Sequence, residues 1–404
     1  MLRYLTIRDG RSILILALIF YFVVLLVVCS QAGPRAWERL GVHHLSPAFA
    51  DMRFIISAIE SERARYDPYQ RNPRDPWHRR MNYPRVWLLP SVVGLQLRHT
   101  VPLAVGLAAI FFLSLLVLVG PLTLEEGGVY AILVCSPPVM QGVERGNVDF
   151  LIFSLLTLAV LLIRRRGTRS IWPYGVIMTC SLLKLYPILA MAVALRDRSR
   201  TVAFSIIGTA WVIFLSYLFW IRSDLSAIVR NTWTVSNISF GSKVVFLQLD
   251  WWMGPINTTA WSIASLAVAA AAATIIVKRT PTPVFSTQTV DSMLIGMSIY
   301  TGIFALLGSN FNYKLSFLIF AVPQMLQWIR HQNAYRTFAG VFLAIMALAF
   351  WMSPQQNYWG FLLKEVMNWC LFEMSIVVLL HFLFASPAKA IGGGLSFGWR
   401  DRVP

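Results

Sequence analysis

Long apolar segments recur along almost the whole of this chain and limit what it can fold into. The first is Ile13–Cys29 and the last is Val366–Phe384. Hydrophobic residues make up 57% of the 404 residues and charged residues only 13%, whereas soluble domains carry roughly 25% charged residues. Apolar segments of this length are typical of helices that cross a lipid bilayer. The sequence therefore predicts an all-α polytopic integral membrane protein.

Composition also argues against other classes of protein. The net charge of +17 would favour nucleic-acid binding in a soluble protein, but membrane proteins concentrate Arg and Lys in their cytoplasmic loops. We therefore predict no nucleic-acid partner. The cysteines lie within or beside apolar segments and form no CxxC pair, so they indicate neither a disulfide framework nor a metal site. They are Cys29, Cys135, Cys180 and Cys370.

Basic residues predict the orientation of the chain. The N-terminus is placed in the cytoplasm by the arginines before the first apolar segment, Arg3, Arg8 and Arg11. Alternation of the later segments predicts about ten full spans and a cytoplasmic C-terminus. Residues 31–100 then form a long first extracytoplasmic loop and residues 222–259 a second one. The whole chain, residues 1–404, is expected to be a single transmembrane domain.

The segment Trp172–Leu195 does not fit this alternation. Basic clusters lie on both sides of it, Arg164–Arg169 before and Arg196–Arg200 after, and an ordinary span would put one of them outside. We therefore predict that residues 171–195 form a re-entrant pair of half-helices that enters and leaves from the cytoplasmic side. Lys184 would then lie at depth, where an unpaired charge costs at least ~2.5 kcal/mol. Protein or a polar cavity must cover such a break.

The first extracytoplasmic loop contains a short predicted helix. Within Ala50–Tyr66, apolar residues recur at Met52, Ile55, Ile56 and Ile59, which is the spacing of one helix face. We expect an amphipathic helix that lies in the membrane interface.

The same loop carries groups suited to chemistry on a phosphorylated substrate. It has eleven arginines and no lysine, and arginine offers planar, bidentate contact with phosphate. Asp51 lies at the start of the predicted helix, where it is either a general base or an N-cap.

Short polar motifs then follow one another at the predicted outer ends of apolar spans. In order they are Asp51 after the first span, Tyr83-Pro84 at the end of the loop, Gly146-Asn147 at the start of a span, Lys184-Leu185-Tyr186-Pro187, and the turn Asn310–Tyr313. In this order the chain resembles the polyprenol-phosphate-sugar-dependent glycosyltransferases of the GT-C superfold, particularly glycosyltransferase family 87, which includes mycobacterial mannosyltransferases. The resemblance covers Ala50 to about Pro323, and each motif is short and degenerate.

The resemblance implies a GT-C-like helical bundle in the bacterial plasma membrane. It also implies an inverting transfer of a monosaccharide, with mannose the family's leading case, from a polyprenyl-phosphate donor to a glycolipid or lipid-linked glycan on the extracytoplasmic face. No cofactor besides the lipid-phosphate donor is expected. Asp51-Met52-Arg53 lacks the second Asp that some GT-C branches carry, which argues against a divalent metal. Arg85 follows Tyr83-Pro84 where the family often has a second Pro.

For such a transfer the sequence offers specific groups. Asp51 would accept the proton of the attacking hydroxyl. Lys184 would hold the departing phosphate, together with Arg85, Arg145 or Lys314. The other candidate substrate-binding residues are Arg53, Tyr83, Glu144, Asn147, Asn310, Asn312 and Tyr313.

These residues also have structural interpretations. Lys184 can extend its ammonium to the cytoplasmic headgroups. Arg145 can pair with Glu144 on the surface, and Asn147 can cap the helix that follows it. Two tyrosines can anchor the chain at the interface, Tyr83 and Tyr313. If Asp51 is only a cap, the base is expected elsewhere, at Glu144, Asp149, His43 or His44.

Two other classes of function remain open at this point. A transporter or flippase of a lipid-linked sugar would line a path through both halves of the membrane with polar residues, whereas here they concentrate at outer span ends. A polysaccharide polymerase or ligase would share the donor, but is usually built around a large late outer loop. The large loop of this chain is early.

Overall fold

The structure is a computed structural model, and it describes residues 9–331, 334–352 and 357–384. The expectations for Arg3, Arg8 and the C-terminal end concern residues outside these ranges. The α-helices are α1 Gly10–Ala32, α2 Ala36–Arg39, α3 Ala50–Arg63, α4 Thr100–Val119, α5 Leu124–Val134, α6 Pro137–Arg145, α7 Asp149–Arg166, α8 Ile171–Leu183, α9 Arg200–Trp220, α10 Arg222–Asn231, α11 Val244–Met253, α12 Thr258–Arg279, α13 Val290–Gly302, α14 Val322–Arg330, α15 Arg336–Trp351 and α16 Tyr358–Phe384.

Shorter elements connect these helices. The 3₁₀ segments are Gly33–Arg35, Arg85–Val93, Leu97–His99, Tyr186–Arg196 and Asn312–Ala321, and Ile303–Leu307 is a π-helix. The strands β1 (Ser239–Phe240) and β2 (Asn310–Phe311) form one antiparallel pair.

The helices carry the apolar surface that a bilayer requires. Within the described residues, six helices are long and apolar enough to cross a membrane: α1, Leu97–Val119 (which includes α4), α9, α12, Val290–Leu307 (which includes α13) and α16. The pair α6 and α7, bent by 111°, would make a seventh. Large apolar side chains point outward, among them Phe20 and Val268, which are 70% and 69% exposed. The chain is therefore a membrane-embedded helical protein, although the expected ten full spans are not established.

The contacts define two ends of the bundle. At one end, called the basic end here, the Gly10 N–H donates to the Leu122 carbonyl (3.0 Å), and Arg330 pairs with Glu126. Further contacts bring together at this end residues 9–12, 121–126, 164–170, 196–200, 280–291, 330–331 and 381–384. At the other end, called the site end, lie residues 41–52, 79–87, 142–149, 183–186, 237–243 and 303–314.

The chain reverses within the segment for which a re-entrant pair was expected. Helix α8 ends at Leu183, and the 3₁₀ segment Tyr186–Arg196 runs back. The Thr168 hydroxyl donates to the Asp197 carboxylate (2.8 Å), so both ends of the segment lie at the basic end. Lys184 lies at the turn, at the site end.

Helix α3 packs inside the protein. It begins at Ala50 as expected but ends at Arg63, three residues before Tyr66. The predicted apolar stripe is buried, and Phe54 and Ala58 beside it are buried as well. Because these side chains extend the buried surface beyond a single stripe, protein covers α3 on more than one face.

Two helix starts after α4 follow from local sequence. Thr123 and Glu126 form a capping box that starts α5 at Leu124. Pro137 occupies the first position of α6, where its missing N–H leaves no hydrogen bond unmade.

Candidate active site

Asp51 lies in the first turn of α3 at the site end. Phe49 occupies the N-cap position with a left-handed backbone (φ 59°), so Asp51 is the second helical residue and does not cap α3. Its Oδ2 accepts a hydrogen bond from Nδ2 of Asn147 at 2.5 Å. The side chain is 15% exposed, which leaves part of the carboxylate open to a ligand.

Arg79 supports Asp51 from the other side. Its Nη2 donates to the Ala50 carbonyl (2.7 Å) and to Oδ1 of the buried Asp75 (2.9 Å), and its Nη1 lies 3.6 Å from Oδ1 of Asp51. The guanidinium also lies 4.7 Å from the ring centroid of Phe54. Sequence reasoning missed Arg79, because eleven arginines in one loop give no local signal that separates one from another.

Asn147 joins α3 to α7. It follows Gly146, whose φ of +57° favours glycine and where a Cβ would lie 2.8 Å from Cβ of Ala104. The Asn147 Oδ1 accepts from the backbone N–H of Asp149 (2.8 Å) while its Nδ2 donates to Asp51. Asn147 therefore satisfies a backbone N–H at the start of α7, as the capping interpretation expects, and also contacts Asp51. Its role in substrate binding stays a prediction.

Asp149 and Lys184 form a buried ion pair. The Lys184 Nζ lies 2.6 Å from Oδ1 of Asp149, and the Tyr186 hydroxyl donates to the same oxygen (2.7 Å). Lys184 is 6% exposed and Asp149 1%. The Lys184 ammonium lies 4.7 Å from the centroid of the Tyr83 ring, so this lysine does not extend to the basic end. The structure brings together Tyr83 and Lys184, which were both predicted site residues. Asp149 was considered only as an alternative base, and Tyr186 only as part of the motif Lys184–Pro187.

A second lysine approaches the same place from the late turn. The Lys314 Nζ donates to Oδ1 of Asn310 (3.1 Å) and lies 5.1 Å from the centroid of the Tyr186 ring. The Tyr313 side chain lies close to Asn147. Among the residues that the structure describes, no carboxylate lies within ion-pair distance of Lys314.

Three other predicted residues have different surroundings. Arg85 forms a bidentate pair with Asp224 (3.1 Å for both contacts) and therefore fastens α10 to the first loop. Nε of Arg53 is buried, and it has no hydrogen-bond partner among the described residues. Asn312 is 1% exposed, and its backbone N–H donates to the Ile238 carbonyl (3.1 Å).

Glu144 and Arg145 form a buried group beside α3, not a surface pair. Glu144 is 1% exposed, and its Oε2 lies 3.2 Å from Nε of Arg145. Nδ1 of His44 lies 2.9 Å from Oε1 of Glu144, and Nδ1 of His43 lies 3.2 Å from Nη2 of Arg145. The Glu144 carbonyl accepts from the Phe49 N–H (3.2 Å), which ties this group to the start of α3.

Burial lowers the pKa of both histidines. The His43 ring is also next to the positive Arg145 side chain, which acts in the same direction. For His44, burial outweighs the opposing effect of Glu38, even though the carboxylate of Glu144 lies within hydrogen-bond distance. Both rings are therefore neutral near pH 7, and neutral His44 can donate from Nδ1 to Glu144.

Within the described ranges, no group of three or more His, Cys, Asp or Glu side chains is arranged to hold a metal ion. Independence from a divalent metal stays a prediction.

The sequence profile of glycosyltransferase family 87 matches residues 83–309, more than half of the chain. The chain belongs to glycosyltransferase family 87. This confirms the family inferred from the motifs and supports a glycosyltransferase activity. The match contains Tyr83, Asn147 and Lys184, while Asp51 and Lys314 lie outside it. No curated protein and no solved structure gives a significant match.

Proposed function

We propose that this family 87 protein is an inverting glycosyltransferase with a GT-C-type bundle. It moves a monosaccharide, mannose in the first instance, from a polyprenyl-phosphate donor to a glycolipid or lipid-linked glycan. The observation that carries the proposal is the convergence of one partly open carboxylate, Asp51, with two lysines, Lys184 and Lys314, at one end of a membrane-embedded bundle.

Asp51 supplies the general base. An inverting transfer needs one carboxylate to take the proton of the acceptor hydroxyl as its oxygen attacks the anomeric carbon. Oδ2 of Asp51 accepts a hydrogen bond from Asn147 at 2.5 Å, whereas the polar contact of Oδ1 within the described part of the chain is the longer one, 3.6 Å, with Arg79. Oδ1 is therefore the oxygen that receives the proton, and Asn147 and Arg79 fix its direction.

Lys314 supplies the main charge for the departing lipid phosphate. Negative charge grows on that phosphate as the glycosidic bond breaks, and a fixed cation stabilises it. Lys184 is already neutralised by Asp149, and Arg85 by Asp224. Within the described residues, Lys314 donates to an amide oxygen, Oδ1 of Asn310, and is not paired with a carboxylate. Lys184 acts as the second cation; Lys314 lies over the Tyr186 ring, whose hydroxyl donates to Asp149, the partner of Lys184.

The donor arrives through the bilayer, and the site end faces the extracytoplasmic side in this proposal. The basic clusters Arg164–Arg169 and Arg196–Arg200 both belong to the opposite end, and such clusters are retained on the cytoplasmic side. Residues 31–100 and 222–259 are then the outer loops, and residues 171–195 are the re-entrant pair. The setting is a single-domain protein of the bacterial plasma membrane, with both termini in the cytoplasm.

The test is donor consumption by purified protein in lipid vesicles. Polyprenyl-phosphate mannose is supplied together with total lipid from a strain that lacks the protein, and release of polyprenyl phosphate is measured. Asp51→Asn should lower this rate at least ~100-fold, the low end for a positioned acid–base group. Asp51→Glu should recover little, since a shift of about an ångström can itself cost ~100-fold.

The matched control is Asp67→Asn. Asp67 is a 41% exposed carboxylate of the same loop, and its replacement should leave the rate close to that of the wild type. Near-wild-type consumption by Asp51→Asn would contradict the assignment of the base. A wild-type protein that translocates the donor across the vesicle without consuming it would favour the flippase alternative.

A further inference from the structure

A second buried polar cluster lies in α16, outside the part of the chain that the family profile matches. Lys364 is 1% exposed and Glu365 2%, and Nζ of Lys364 lies 3.3 Å from Oε1 of Glu365. Asn368, one turn further along, donates to the same carboxylate oxygen (3.2 Å). Charged residues within a membrane-spanning helix are rare and are retained where they serve the protein. The proposed chemistry does not use this cluster directly.

The Lys364 ammonium is directed at the backbone of β1 and of the segment just before it. It donates to the Ser239 carbonyl (2.8 Å) and to the Asn237 carbonyl (3.4 Å). A lysine has three N–H donors, so these two carbonyls and the Glu365 carboxylate account for all of them. The ion pair therefore fastens the segment that enters and forms β1.

The strand β1 in turn holds the late turn of the site. Ser239 pairs with Phe311, and Phe240 pairs with Asn310. Asn310 also accepts from the Lys314 ammonium through its Oδ1. A continuous series of hydrogen bonds thus runs from Lys364 to Lys314.

Such a short sheet needs support from outside. Each strand has two residues, and even a complete isolated two-stranded hairpin is marginally stable at best. The Asn312 N–H adds one further bond to the Ile238 carbonyl (3.1 Å). The Lys364 ammonium supplies buried, charge-assisted hydrogen bonds, which are stronger than bonds between neutral groups.

We propose that Lys364 and Glu365 are positioning residues that set the place of Lys314 through the β1–β2 pair. The inference rests on the proposed role of Lys314 in holding the donor phosphate. It assigns to α16, the last described helix, a part in donor use that acts through the β1–β2 pair.

The main variant is Lys364→Met/Glu365→Gln. Removing Lys364 alone would leave a buried unpaired carboxylate, so the double replacement removes both charges and keeps the acceptor for Asn368. Its melting temperature should stay close to that of the wild type, while kcat/KM for polyprenyl-phosphate mannose should fall about 10-fold, the scale of one charge-assisted hydrogen bond. Lys364→Arg should retain part of the activity, because its guanidinium can still donate to carbonyls.

Two further measurements separate positioning from a merely structural role. In a Lys314→Met background the double replacement should cause no additional loss of kcat/KM, because residues that act through one another are not additive. Backbone hydrogen exchange at residues 238–240 and 310–312 should be faster in the double variant. Glu373→Gln, which removes a charge from the same helix, serves as the matched control and should change neither quantity.

Unchanged hydrogen exchange, unchanged kcat/KM, or full additivity with Lys314→Met would each overturn the inference and leave the proposed function intact. A wild-type protein that consumes no donor would instead overturn the proposed function, and with it the premise of this inference.

Discussion

Replacing Lys184 with methionine should remove one half of the buried ion pair and leave Asp149 as an uncompensated charge. Nζ of Lys184 and Oδ1 of Asp149 are 2.6 Å apart, and the side chains of Lys184 and Asp149 are only 7% and 1% exposed. Removing one partner of such a pair typically costs ~3–5 kcal/mol of folding free energy. The Tyr186 hydroxyl still donates to Asp149 at 2.7 Å, which favours the lower part of that range. Equilibrium unfolding in mixed micelles measures the change.

The double variant Lys184→Met/Asp149→Asn separates stability from donor binding. It removes both charges, so most of the lost stability should return. If Lys184 also contacts the donor phosphate, kcat/KM for the donor should stay at least ~10-fold below wild type, since a hydrogen bond to a charged group contributes ~1.5–3 kcal/mol. Lys184→Arg should keep part of the activity, because the positive charge remains.

The pair Arg169–Asp197 is the control for these variants, because its cation is exposed. Arg169 is 72% exposed, whereas Asp197 is 4% exposed and keeps its hydrogen bonds from the Thr168 hydroxyl and the Ser199 N–H. Ion pairs of exposed side chains contribute at most about 1 kcal/mol, so Arg169→Met should change stability little. Unchanged stability of Lys184→Met would refute the burial argument. Full recovery of donor use in the double variant would show that Lys184 only neutralises Asp149 and that the phosphate role belongs to Lys314.

Further predictions concern topology, the support of the base and pH. Single cysteines that replace Arg165 and Arg198 should both be shielded from an impermeant thiol reagent added outside, while a cysteine that replaces Gln70 should be labelled. Labelling of the cysteine at just one of positions 165 and 198 would contradict the re-entrant arrangement. Arg79→Gln should lower sugar transfer by up to ~100-fold through misplacement of the Asp51 carboxylate. Arg79→Lys should recover little, because lysine cannot make the bidentate contact that arginine makes with Asp75. A normal rate in either variant would argue that Arg79 does not support Asp51. Because burial lowers the pKa of His43, the unfolded state binds its proton first and stability should fall as the pH drops below about 6.5. His43→Gln should narrow the difference in melting temperature between neutral pH and about pH 5, and an unchanged difference would exclude this histidine as the cause.

The helical, membrane-embedded class could be predicted because it depends on local composition. Long runs of apolar residues indicate membrane-spanning helices, and this indication does not depend on tertiary contacts. The apolar stripe of α3, from Met52 to Ile59, could be recognised for the same reason, since helical periodicity is a local property.

The partners of the site residues could not be predicted, because they depend on how irregular segments meet. Arg79 lies 28 residues after Asp51 and contacts it only because the loop between them folds back. Asp149 reads in the sequence as a first-turn helix residue, and nothing local shows that Lys184 pairs with it. The sequence suggests Arg85 as a phosphate ligand, but in the structure its guanidinium pairs with Asp224.

Several helices are interrupted at the site end, and this explains why the long loop of residues 31–100 packs there. Helix α7 follows the turn at Gly146, α8 stops before Lys184, and α13 runs through the π-helix Ile303–Leu307 to β2. Breaks of this kind leave backbone polar groups unpaired, which lipid does not tolerate unless protein or a polar cavity covers them.

Helix α3 and the loop around it provide that cover. The Phe49 N–H donates to the carbonyl of Glu144 at the end of α6, and the Trp87 indole donates to the carbonyl of Leu183 at the end of α8 (2.9 Å). Asp51 then pairs with Asn147 just before α7. The same loop that satisfies the broken helix ends therefore also brings Asp51, the proposed base, to the lysines. A variant that loosens the loop should lose helix-end protection and sugar transfer together.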